Sequence, residues 1–160
     1  VSILAADFSQ YVVQNALLEL NKVGIPYSTT AHNLLMGTAA QESLLGTYLV
    51  QQSGPGVSPF MLTPSLIPMQ LAKLTDQQRN FINSWSINND ATNAGELVTN
   101  LCLAAMLCRV WYWNVPYSLP PNTRSGLWRY YKQWFNTYSG AATESQWNTN
   151  WGLTGIDIPD

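Results

Sequence analysis

Apolar positions along this chain recur at helical spacing and show no strand-like alternation. Phe8, Val12, Ala16 and Leu20, flanked by Val13 and Leu17, form one side of a first helix that Asp7 can cap and that Gly24 and Pro26 close. Residues 31–52, AHNLLMGTAAQESLLGTYLVQQ, read as one long helix. Ser28, Thr29 and Thr30 are its candidate N-caps, and Ser53-Gly54-Pro55-Gly56 is its stop. Thr63-Pro64 opens a short helix that Pro68 cuts or kinks. Thr75-x-x-Gln78 is a capping box for a helix over 76–85 with Phe81, Ile82 and Trp85 inward. Asn93-x-x-Glu96 caps a helix over 94–113 whose middle, LCLAAMLCRVWYW, is apolar enough to be the central core helix. Val115-Pro116 ends it, and residues 117–122 are an extended connection. Residues 124–136 then set Leu127, Tyr131, Trp134 and Phe135 on one side until Gly140, and Thr143-x-x-Gln146 begins a last helix through Trp151. The pattern predicts an all-α fold of six to eight helices around a buried central one, a single domain over 1–160. Residues 152–160 are expected to be a tail that docks loosely or binds a neighbouring chain.

One polar position interrupts this pattern. On the helical period Leu35, Ala39, Glu42, Gly46 and Leu49 share a stripe, so Glu42 points where a core leucine would sit, with small residues one turn either way. From Val23 to Ala72 there is no Asp, Lys or Arg, and Glu42 is the only acid. A carboxyl in such surroundings loses hydration when ionised, which raises its pKa and suits it to donating a proton near neutral pH. Two plainer readings stand beside this one: a buried Glu held by nearby Thr, Tyr or Asn groups, or a Glu that faces water.

Composition narrows the function classes. The 160 residues suffice for one real core, only 10% are charged, and the net charge is −2. There is no basic cluster for nucleic acid or acidic lipid, no apolar run of membrane-spanning length, and the opening VSILAAD is not a signal peptide. A leading Val1 fits either loss of an initiator Met or excision from a longer polypeptide. Seven Trp and eight Tyr, concentrated after residue 110, suit sugar stacking, a partner interface or an aromatic core. Cys102 and Cys108, six apart on one helix, cannot bridge and have no metal-ligand company, so no metal or cofactor is expected. His32, the lone histidine, reads as structural, with no Cys or Ser nucleophile arranged beside it. Asp90 is the best-placed second carboxylate by composition, but an Asx-turn explains it better, as a capping box explains Glu96.

The string GTAAQESLLGTYL, residues 37–49, resembles the glutamate-bearing helix of the lysozyme superfamily, in particular lytic transglycosylases and phage lysozyme-like domains. There a Glu-Ser pair followed by a Gly, here Glu42-Ser43 and Gly46, marks the catalytic acid. The run from Arg109 to Pro116, and the segments Tyr130-Tyr131-Lys132, Phe135-Asn136-Thr137 and Thr143-Glu144, are similar in style to the C-terminal part of the same domains, so the likeness spans residues 28–151. Residues 54–64, GPGVSPFMLTP, depart from it. Aligned on Phe60 and Pro64, Ser58 stands for the usual Gly and Met61 for a Gln whose amide lines the sugar cleft, while Pro59 removes a backbone donor.

The resemblance implies a lysozyme-like helical domain that cleaves the β-1,4 bond between MurNAc and GlcNAc in peptidoglycan. Glu42 would be the acid/base, Ser43 would orient it, and Phe60, Met61, Tyr112 and Tyr131 would line the cleft. Peptidoglycan glycan strands are the implied partner, in a phage virion (tail-associated) or the host periplasm and cell wall. The alternative it implies is a catalytically degenerate domain acting as a structural or wall-binding component of a phage tail, contacting other virion proteins.

Overall fold

The computed structural model describes residues 3–160, so the reading of Val1 as a processed start falls outside the described residues. Among these, every regular element is helical, and the only extended pairing is a pair of isolated antiparallel bridges, Val50 with Val57 and Val57 with Leu62. The chain is all-α. Helix α1 (residues 5–21) joins Ala5–Asp7, a π-helical Phe8–Gln14 and Asn15–Asn21. Helix α2 is Thr29–Ser43; α3 is Ile67–Ala72, entered through the 3-10 turn Pro64–Leu66; α4 is Asp76–Asn83. Helix α5 is Ala94–Leu97, α6 is Leu101–Trp113, α7 is Arg124–Tyr131 extended by π-helical Lys132–Asn136, and α8 is Glu144–Trp151. None of them is long and apolar enough to cross a membrane.

The π stretch alters the predicted face of α1. In an α-helix the residue under Phe8 is Val12, but a π turn brings round the residue five along. Val13 is accordingly buried with Phe8, Ala16, Leu17 and Leu20, and Val12 is only half-buried. Asp7 lies inside the helix and makes no cap, whereas Gly24, at φ +82°, allows the Ile25 N–H to reach back to the Leu20 carbonyl and close it.

Two helices share the centre. α6 is buried from Leu103 to Val110, and α2 is buried on nearly every side, with α1, α6, α7 and α8 packed around it. Gly37 is what lets α8 approach: a Cβ there would lie 2.6 Å from the Trp147 ring and 2.7 Å from that of Trp151. The single helix expected over 94–113 is in fact two. Asn100 turns its carbonyl oxygen to the Leu103 N–H and starts α6 afresh, while its amide donates to the Trp85 carbonyl. The boxes at Thr75 and Thr143 form as the sequence predicts, and Ser28 is the cap of α2. Pro68 neither cuts nor kinks α3, because it sits in the first turn where no N–H is needed. The tail is not loose. The Trp151 indole N–H donates to the Ile156 carbonyl, the Arg124 N–H donates to that of Pro159, and Arg124 pairs with Asp160.

Candidate active site

Helix α2 was expected to run to Gln52, but it stops at Ser43, one residue beyond Glu42. Leu44, Leu45 and Gly46 take φ values of 52°, 53° and 78°, and the chain reverses. Left-handed backbone costs an L-residue about 1–2 kcal/mol. Here it drives Leu45 into the core at 3% exposure and satisfies the helix end, with the Leu45 and Leu44 N–H groups donating to Ala39 and Ala40. Ser43 completes the reversal: its hydroxyl donates to the Ala39 carbonyl and accepts from the Gly46 N–H at 2.8 Å. Gly46 and Leu49 therefore do not share a helical stripe with Glu42, and the space beside the carboxyl comes from the loop that follows.

That loop folds back on itself. The Ser58 N–H donates to Leu49, the Gln51 N–H to Gly56, and Val57 and Leu62 exchange a pair of bonds at 3.0 and 2.9 Å. Ser58 and Met61 are held at φ 76° and 47°, and Phe60 and Leu62 plug the loop into the core. Four of the six non-glycine residues with positive φ among the described residues thus lie in the segment 44–61. Between the loop and the end of α2 runs an open groove of about 310 Å³, walled by Glu42, Tyr48, Val50, Gln51, Gln52, Ser53 and Met61. Glu42 is the only carboxylate in that lining.

Glu42 is held from below. The Tyr131 hydroxyl, from α7, donates to its Oε1 at 2.5 Å. The phenol has little freedom, being stacked on Trp147 at 5.0 Å and on Phe135 at 5.8 Å, and fully buried. Burial raises the pKa of Glu42 above its ordinary range, and the bond from Tyr131 only partly opposes this. Burial and the adjacent carboxylate together push the Tyr131 phenol far up, so it remains a proton donor. The arrangement is a half-buried carboxyl with one oxygen fixed by a phenol, at the wall of an open groove, able to hand a proton to a bound molecule and take one back.

The other predicted site residues divide. Met61 lines the groove. Tyr131 is not a cleft wall but the donor that orients the acid, a role assigned in the sequence reading to Ser43, whose hydroxyl is used up in the helix end. Phe60 is fully buried against Phe8, with ring centroids 6.0 Å apart, and is core. Tyr112 is also core, at 2% exposure. The single hydroxyl proton of Thr38 goes to the Leu34 carbonyl, so the Tyr112 hydroxyl donates to Thr38 at 2.7 Å. The sequence pattern places Tyr48, Gln51 and Gln52 in a helix and Ser53 in its stop, so it gives no sign that they wall a groove.

The remaining polar candidates are structural. Asp90 accepts from the N–H and hydroxyl of Thr92 in an exposed Asx-turn, which holds its pKa below the ordinary value. Glu96 does not close a capping box, although Asn93 does cap α5; its carboxylate turns away to accept from Ser86 Oγ at 2.6 Å, the Ile87 N–H at 3.0 Å and Asn100 Nδ2 at 2.9 Å. A serine does stand beside His32: Ser9 Oγ lies 2.8 Å from Nε2, Nδ1 is 3.0 Å from Asn33 Oδ1, and Asn33 bonds on to Asn122. The set ties α1, the start of α2 and the connection before α7 together. Cys102 and Cys108 are free thiols, both pushed up in pKa by burial, Cys102 to about 11.

No protein-family model, curated protein or solved structure matches this chain.

Proposed function

We propose that this chain is a glycan-cleaving domain of the lytic transglycosylase kind, acting on peptidoglycan through Glu42 alone. The observation that carries the reading is a carboxyl raised in pKa by burial, fixed by Tyr131 and opening on a groove with no second acid in its lining. Most glycoside hydrolases use two carboxylates around the scissile bond, whereas a transglycosylase draws its nucleophile from the substrate. Protonated Glu42 gives its proton to the glycosidic oxygen as the bond to the muramic anomeric carbon breaks. The resulting carboxylate takes the proton of the muramic 6-hydroxyl, whose oxygen attacks that carbon and closes a 1,6-anhydro ring, returning Glu42 to its starting form.

The reading draws support from the backbone as well. Ser58, which stands where the resemblance has glycine, holds a φ of 76°, the conformation glycine adopts most easily. Met61 reaches the groove at the position of the usual Gln. The test is incubation of purified cell walls with the protein and mass analysis of what is released. Anhydro-muropeptides that vanish with Glu42→Gln are expected; none at any pH from acid to neutral overturns the reading.

Two observations favour a second reading, a degenerate domain serving as a structural or wall-binding part of a virion. The groove, at about 310 Å³, sits at the lower end of the range for ligand sites. Its wall at Met61 also lacks an amide. An ordered copy of the chain in assembled particles, with infectivity unchanged by Glu42→Gln, would select this reading over the first.

A further inference from the structure

Arg109 lies in α6 at 3% exposure, and none of the described carboxylates forms an ion pair with it. Its Nε is buried without any hydrogen-bond partner among the described residues. The Trp113 ring stands 5.6 Å from the guanidinium carbon, but a cation–π contact returns less than the hydration a buried ion gives up. Burial lowers the pKa of the group, against smaller opposing contributions from Tyr130 and Cys108. The guanidinium also lines a cavity of about 310 Å³ walled by Pro26, Tyr112, Trp113, Tyr117 and Leu119, with Ser118 at its rim, and this cavity shares no lining residue with the groove at Glu42.

We infer that this cavity is a second binding site, for a small carboxylate carried on a flat apolar body, with Arg109 as its charge partner. A single guanidinium matches a monoanion, and its planar fork matches the two oxygens of a carboxylate. The cavity lining adds no second cation for a phosphate dianion. Aromatic, proline and leucine walls take an apolar body edge-on or face-on. The site stands independently of what Glu42 does.

The probe is benzoate, titrated against the intact protein while the Arg109 Nε–H resonance and tryptophan fluorescence are followed, with benzamide and inorganic phosphate as comparisons. Benzoate is expected to saturate with a dissociation constant of about 1 mM or tighter, and benzamide to bind about tenfold more weakly or worse. Because Arg109→Gln could disturb the core, the deciding variant is Ser118→Glu on the exposed rim, which offers Arg109 a tethered carboxylate; it should weaken benzoate about tenfold, and Ser118→Gln should not. Absence of saturation, equal binding of benzamide, phosphate binding as tightly as benzoate, or indifference to Ser118→Glu would each overturn the site.

Discussion

Two glutamates in this molecule meet opposite treatment. Glu96 is buried at 7% exposure, where lost hydration alone would raise its pKa, yet bonds from Ser86, Asn100 and Ile87 together outweigh that and hold it below the ordinary value. Glu42 has one donor, Tyr131, and there burial wins. A carboxylate given three donors is held as the anion at neutral pH and ties together the segment 86–100. One given a single donor and an open side is left able to exchange its proton. The balance between donors and lost hydration separates the structural acid from the candidate chemical one: three bonds outweigh the loss at Glu96, and one does not at Glu42. Backbone strain divides the same way. The segment 44–61 concentrates positive-φ residues around Glu42, whereas the loop around Glu96 has one, Asn89.

The comparison is broken most severely through activity. Glu42→Gln should lower the release of anhydro-muropeptides by about 100-fold or more, the usual worth of a general acid. Glu96→Gln should leave the rate per folded molecule unchanged. Equal losses in both variants, measured on the same wall preparation, would erase the distinction.

Stability should show the reverse order. Removing the Glu96 anion leaves donors unmatched and should cost about 1–3 kcal/mol in denaturant unfolding near neutral pH. Because its folded pKa lies below the ordinary 4.5, that contribution is complete above 4.5 and lost as pH falls through the lowered value, so wild type and Glu96→Gln should converge in acid. Glu42 has the opposite sign. With its folded pKa raised, ionisation destabilises the fold, so Glu42→Gln should match wild type below pH 4.5 and melt a few degrees higher above it. A Glu42→Gln variant that melts lower at neutral pH would contradict the burial argument.

Tyr131→Phe sharpens the contrast more gently. It removes the only donor to Glu42 among the described residues, so the carboxyl should titrate at still higher pH by carbon-13 NMR, and the alkaline limb of any activity profile should move with it. The stability cost should be about 1 kcal/mol. The smallest effect is expected from Met61→Gln, which puts an amide on the groove wall without touching either acid. A change in rate of about threefold upward, with no shift in either glutamate's titration, is the outcome to look for.

The helical class, the two capping boxes and the isolation of Glu42 were legible in the sequence, because period, cap chemistry and charge are local properties; of the inward face expected on α7, Leu127 and Tyr131 are buried, but Trp128 and Tyr130 are buried in place of Trp134 and Phe135. The end of α2 was not legible. Nothing between Ala31 and Gln52 is a strong breaker, and the reversal at Leu44 and Leu45 occurs because burying Leu45 compensates a conformation that leucine disfavours. The same distant packing decided that Phe60 and Tyr112 are core, that Val13 replaces Val12 beneath Phe8, and that a tyrosine eighty-nine positions away became the partner of Glu42. What the sequence determined by itself was which residue types were present at which spacing, enough to single out one acid in a neutral stretch. Only the tertiary structure decided how many donors each acid receives and whether space remains beside it, since both depend on groups remote in the chain that packing alone brings together.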